Sequence, residues 1–201
     1  MKVLLFLSVV LLVAAGSVLG QDDLFTPMKG TATPSFQMKN ESVRCLVFGT
    51  HIVKMTTDED GAEDVSIWHR EGTARGTEAC NVKAKPYATI KDSDNNSFYG
   101  ISTDYFFIDT GTSQSRGLYV YDTVSGKDVV QIGYMGEPSL VGGRYLLYDD
   151  LTDKKGPIST CPEAAKWKRQ GGGVGWLQGM KMDLKTKAVT KVGALRCVYL
   201  E

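Results

Sequence analysis

Asp92, Asp94 and Asn96 stand at alternate positions in Asp92-Ser93-Asp94-Asn95-Asn96-Ser97, the spacing at which a loop presents its first three oxygen ligands to calcium. The pattern lapses at its sixth and twelfth positions, where a calcium loop needs glycine and glutamate; Ser97 and Thr103 stand there. Side chains of Asp and Asn also bond their own backbone in tight turns, which accounts for the same residues without a metal. Calcium at Asp92, Asp94 and Asn96 is therefore the one cofactor the sequence admits, and a plain turn is the simpler account. Asp58-Glu59-Asp60-Gly61 and Asp149-Asp150 with Asp153 are further acidic clusters, read as solvated hairpin ends. If two or more of Asp58, Asp60, Asp92, Asp94, Asp149 and Asp150 met in one pocket, they would form the acid and base of a hydrolase, with or without a metal.

Histidine is scarce, with His51 and His69 alone, so a Ser/His/Asp triad or a histidine-rich metal site has little material. His51 lies in an apolar stretch and reads as a partly buried residue; His69 follows Trp68 and reads as a surface one. Neither Glu71 nor Asp64 stands at a spacing that marks it as a catalytic partner of His69. Trp68, Trp167 and Trp176, with nine tyrosines, supply flat surface with polar handles for a carbohydrate or small ligand. The same rings also suit the core of a β fold. The glycines of 171–175 lack the Gly-Lys-Ser/Thr ending of a phosphate loop and follow a helical segment instead of opening one.

The elements that must position these residues are short apolar runs cut by glycine and Asp/Asn turns. Residues 45–48, 51–55, 65–68, 105–108, 118–121 and 145–148 each carry three or four apolar, aromatic or branched residues, alternating or continuous, which predicts strands. One segment departs from this. Residues 160–169 place Thr160 at a helix N-cap position with Glu163 three residues on, Pro162 in the first turn, and Gly171-Gly172-Gly173 as the stop. That predicts a single short helical insertion in an all-β domain of antiparallel hairpins. The domain spans 43–201, after an extended, weakly ordered lead-in at 21–42 with Pro27 and Pro34.

Residues 1–20 read as a secretory signal peptide: Lys2, an apolar run over 3–13, then small residues up to Gly20. The run is short for a membrane span and no later stretch suits one, so cleavage leaves an exported chain of 181 residues. Without Lys2 the chain holds 22 basic and 23 acidic residues, a formal charge of −1, which argues against nucleic-acid or anionic-lipid capture. The four cysteines predict two disulfides in an oxidising compartment, secreted or periplasmic. Of three possible connectivities, pairing of nearest neighbours, Cys45–Cys80 and Cys161–Cys197, is favoured; the nested alternative joins Cys45 to Cys197. Asn40-Glu41-Ser42 and Asn95-Asn96-Ser97 fit the N-glycosylation pattern.

An internal repeat is also legible. Residues 117–133 read as strand, polar turn at Ser125-Gly126, strand; residues 179–193 have the same shape, with Asp183 corresponding to Asp122 and Lys187 roughly to Lys127. Residues 118–127, Leu-Tyr-Val-Tyr-Asp-Thr-Val-Ser-Gly-Lys, resemble the strand-turn-strand core of β-propeller repeats of the YVTN or quinoprotein type. The resemblance covers 98–133 and part of 138–193. It implies hairpin units that are propeller-like or, with about three units, built into a small barrel or sandwich; it carries over no functional residue.

These observations together point to a secreted, non-catalytic protein that recognises a protein, carbohydrate or small-molecule partner through loops on a β scaffold. Its candidate surface is made by the Asp/Asn-rich loops and the tryptophans. The alternatives are the acidic-loop hydrolase and an up-and-down barrel holding a small apolar ligand, as lipocalins do. Against the latter, no Gly-x-Trp motif stands near the mature N-terminus.

Overall fold

Each strand of this chain pairs with the strand next to it in sequence, as expected where glycine and Asp/Asn turns join short apolar runs. The computed structural model describes residues 25–57, 59, 63–91, 95–111 and 113–201. The region read as a signal peptide, and Asp58, Asp60, Asp92 and Asp94, lie outside the described residues.

Five strands, β1 (Phe36–Lys39), β2 (Val43–Val47), β3 (His51–Thr57), β4 (Glu63–His69) and β5 (Ala88–Ile90), form one antiparallel meander. A second contains β6 (Ser97–Ile101), β7 (Tyr105–Thr110), β8 (Ser115–Asp122), β9 (Asp128–Val141), β10 (Tyr145–Thr152), β11 (Gly173–Asp183) and β12 (Val189–Leu200). The architecture is all-β, and every stretch expected to form a strand overlaps one.

Side-chain alternation explains how the sheets pack. Phe106 and Ile108 of β7 meet Leu46, Val53, Met55, Val65 and Ile67 of the smaller sheet. Tyr105 and Phe107 face the other way, into a cluster with Leu118, Val120, Ile132, Tyr134, Leu146 and Met182. Strand β7 is thus covered on both faces, which is why its run is continuously apolar instead of alternating.

The segment preceding β1 is more integrated than a lead-in. Met28 is buried in the same cluster as Phe107 and Tyr134. Its amide donates to the Tyr99 carbonyl of β6, and the Ala32 amide to Ile101; on the other side the Leu140 amide of β9 donates to Lys29. Strands β6 to β9 are thereby joined into a ring by residues 28–32. This is possible because β9 changes partner along its length, pairing with β8 up to Met135 and with β10 from Met135 onward. The prolines hid this role: they break periodicity without preventing edge pairing.

Helix α1 (Gly76–Ala79) and its flanking loop cover the outer face of the smaller sheet, and helix α2 (Ala164–Arg169) packs on β11. Among the described residues two short α-helices thus stand where one was expected. Helix α2 also begins later than its capping pattern suggests. The Thr160 hydroxyl donates to the Pro157 carbonyl within a 3-10 turn over Ile158–Thr160, and Glu163 occupies the N-cap without a side-chain cap bond. Thr160 is thereby held inside the 3-10 turn, with its hydroxyl bonded to a backbone carbonyl three residues back. The cysteines pair as Cys45–Cys80 and Cys161–Cys197, and each bond ties a helical segment to the sheet beneath it.

The hairpins β8–β9 and β11–β12 share one turn pattern. Asp122 Oδ1 accepts from the Val124 and Ser125 amides, and Asp183 Oδ1 from the Lys185 and Thr186 amides. The left-handed positions are Gly126 (φ 66°) and Lys187 (φ 60°), so Lys187 corresponds to Gly126 and not to Lys127. Both hairpins belong to the same seven-stranded sheet.

Candidate functional site

A cleft of about 270 Å³ opens at the end of β4, where the chain from residue 70 to 87 crosses the sheet. Trp68, His69 and Tyr87 give it aromatic walls, and Arg70, Glu71, Glu78, Asn81 and Lys85 give it polar and charged ones. Trp68 and His69 are consecutive strand residues and so point to opposite faces; the cleft wraps round the sheet end to take in both. Each wall is fixed. Trp68 Nε1 donates to the Ala84 carbonyl at 2.7 Å, and Lys54 Nζ lies 5.4 Å from the Trp68 ring centre on the same face. The Arg70 guanidinium donates to the carbonyls of Phe48 (3.1 Å) and Ala74 (2.7 Å), holding the loop against the strand end. The Cys45–Cys80 bond anchors the far side of that loop.

Behind the cleft lies a cluster of three rings. His51 and His69 are directly opposite each other on β3 and β4. Their ring centres are 5.3 Å apart, and His69 stacks on Tyr87 at 4.2 Å with 10° between planes. His51 is buried and His69 exposed, as their sequence contexts suggest. Thr50 Oγ1 is 2.8 Å from His51 Nδ1. Burial, and secondarily the charge on His69, pulls the His51 pKa down to about 4, so His51 is neutral at pH 7. Burial, with Asp122 adding to it, pushes the Tyr87 phenol upward. The turn between β8 and β9 closes this cluster from the other sheet: a Cβ on Gly126 would stand 3.0 Å from that of Ala88 and 3.4 Å from the Tyr87 carbonyl.

The remaining residues singled out in the sequence are dispersed. Trp167 and Trp176 lie together beside the Cys161–Cys197 bond, on the larger sheet and away from Trp68. Trp176 is 6% exposed, with Gly156 against its ring, so it holds helix α2 down instead of offering a surface. Asn96 is buried and its Nδ2 donates to the Lys91 carbonyl at 3.0 Å; the other two candidate calcium ligands, Asp92 and Asp94, are outside the described residues. Among the described residues no group of three or more His, Cys, Asp or Glu side chains is placed to hold a metal. Asp149 and Asp150 are not a hairpin end, because they lie within β10 and, being consecutive, point to opposite faces. Asp149 is paired with Arg196 of β12. The pairing itself was missed in the sequence: the register that sets Thr57 opposite Glu63 also sets His51 opposite His69.

A second polar cluster sits inside the larger sheet. Asp109, 1% exposed, accepts from the Tyr134 hydroxyl at 2.7 Å and pairs with Arg116. Burial pushes Tyr134 up to about 12 against the opposing pull of Arg116.

Compared with protein-family models, with curated proteins and with solved structures, the chain matches none. Fold and site together define a disulfide-stapled all-β protein of two meandering sheets with an aromatic cleft at the end of the smaller one. No helix among the described residues is long and apolar enough to cross a membrane, and the two disulfides suit an extracellular or periplasmic setting.

Proposed function

We propose that this chain is an exported, non-catalytic binding protein and that the Trp68–His69–Tyr87 cleft is its recognition surface. The observation that carries this reading is the cleft's composition. Aromatic faces on one side and Arg70, Glu71, Asn81 and Lys85 on the other surround a space of about 270 Å³, near the lower end of ligand-pocket volumes. Such a space takes one sugar ring or one aromatic ring, stacked on the apolar walls and hydrogen-bonded at its rim. Scaffolding by a disulfide and by the backbone bonds of Arg70 lowers the entropy lost on binding. The signal-like residues 1–20 and the oxidised cysteines support export. The lipocalin-like alternative is less favoured, because Phe107, Tyr134, Leu146 and Met182 fill the interior of the larger sheet.

The test uses 4-nitrophenol, a single flat aromatic ring with polar substituents, as the probe. We expect saturable binding that weakens at least tenfold in Trp68→Ala and is unchanged in Trp167→Ala. Binding indifferent to Trp68→Ala would place recognition elsewhere on the protein.

A further inference from the structure

Buried polar atoms in folded proteins are almost always partnered, and each exception asks for an explanation. Among the described residues four buried side-chain nitrogen or oxygen atoms have no hydrogen-bond partner, and two of them, His51 Nε2 and Tyr87 OH, belong to the single ring cluster behind the cleft. His51 is 5% exposed, and its other nitrogen is taken by Thr50. If Nδ1 donates there, the tautomer leaves a bare lone pair on Nε2. That is the arrangement of a metal-ligating imidazole, whose second nitrogen is oriented by a hydrogen bond.

We propose that His51 and His69 bind a late first-row divalent transition ion at the inner wall of the cleft, with Tyr87 OH hydrogen-bonded to the ion's water or completing its donor set. The geometry fits. With metal–nitrogen distances of about 2.0–2.1 Å and tetrahedral angles, the centres of two ligating imidazoles stand about 5 Å apart. The observed separation is 5.3 Å, between residues directly opposite on neighbouring strands. Two imidazoles and a phenol, with no carboxylate in the set, favour copper and zinc over calcium or magnesium, and copper(II) leads the order of divalent affinities. His69 is exposed and lines the cleft, which gives the ion an entry path. With only two protein nitrogens, water or a ligand in the cleft occupies the remaining positions, so the site is open in the manner of sites that bind or exchange an exogenous ligand.

The site shares a wall with the proposed recognition cleft but does not rest on that reading. The experiment titrates the full chain, untagged and freed of metal by chelation, with copper(II) and with zinc(II) alone. It follows calorimetric stoichiometry and the nitrogen hyperfine pattern of the copper spectrum. We expect one ion per chain, two imidazole nitrogens, and an affinity at least tenfold weaker in His69→Gln, an exposed position, at an unchanged urea midpoint of the metal-free chain. Trp68→Ala, which removes the cleft's ring, should bind the ion as the wild type does. Sub-stoichiometric copper should also broaden the proton resonances of both imidazoles in the unsubstituted chain, a readout independent of any variant. No binding, or binding unchanged in His69→Gln with both imidazole signals sharp, overturns the proposal; an ordered water between His51 and Tyr87 is then the partner of both atoms.

Discussion

Asp109 is the residue at which burial and charge conflict most directly. A carboxylate 1% exposed in a strand covered on both faces is tolerated because Arg116 neutralises it and the Tyr134 hydroxyl donates to it. Removing either partner leaves the charge and changes its company. Tyr134→Phe deletes one donor to a charged acceptor, which costs about 1.5–3 kcal/mol. Arg116→Met leaves the carboxylate without a counter-charge and costs about 3 kcal/mol or more. Urea midpoints at pH 7 should therefore fall in the order wild type, Tyr134→Phe, Arg116→Met; equal midpoints for the three would show that the cluster contributes nothing to stability. Asp109 was invisible in the sequence for a physical reason. It closes the apolar run of 105–108, where a carboxylate reads as a strand end entering solvent, and only the pairing of β7 with β8 and of β8 with β9 brings Arg116 and Tyr134 to it. His51 and His69 were legible singly, as buried and exposed, and became a pair only through the register of their hairpin.

At the scale of the element, the repeated turn shows what local sequence can specify. Asp122 and Asp183 each open a turn by accepting backbone amides from the residues two and three positions on, a bond pattern fixed by residue type and spacing alone. That is why the likeness of the two turns is visible in the residues that open them. The alignment slipped by one at Lys187, because a lysine in the left-handed region carries no sign of it; glycine at the equivalent position 126 does. Helix α2 slipped for a different reason: Thr160 ends a 3-10 turn over Ile158–Thr160, so the helix opens only after Glu163. The turn carboxylates also set an acid limit. The Arg144 guanidinium beside Asp183, with the Lys185 and Thr186 amides adding to it, holds its carboxyl well below the usual carboxylate range. A group depressed in the folded state takes up protons first in the unfolded chain. Its contribution is therefore complete above the ordinary value near 3.8 and is lost as pH falls below it. Asp183→Asn should lower the urea midpoint at pH 7 and narrow its gap to the wild type at pH 2.5. A gap that stays constant between these pH values would mean that the ion pair carries no linkage to folding.

For the whole molecule, the decisive contact is one that no local pattern announces. Seven consecutive strands make a meander from neighbour pairing alone, but a meander leaves two edges and an inner face open to water. Residues 28–32 answer both needs at β6 and β9. Their backbone joins the two strands, and the Met28 side chain, 2% exposed, fills the interior beside Phe107, Tyr134 and Leu140. The disulfides do not share this task, because each closes a span of about the same length, 35 and 36 residues, at opposite ends of the chain. In the chain-entropy view each therefore stabilises its own end by a similar amount, about 3–4 kcal/mol. Closure of the ring thus rests on burial of one side chain and on three backbone bonds. Met28→Ala should cost about 2–4 kcal/mol, the range for emptying a buried methionine site, and the loss should be felt along the ring more than at Met28 itself. The sensitive readout is amide hydrogen exchange. Leu140, Met28 and Ala32, whose amides make the closing bonds, should exchange faster in the variant by a larger factor than the amides of β3 and β4. Those strands lie in the smaller sheet, which Cys45–Cys80 staples and residues 28–32 do not join. Uniform acceleration across both sheets would instead show that the strap, the ring and the cleft-bearing sheet unfold as one unit, and that the recognition cleft is held in shape by a contact on the other sheet.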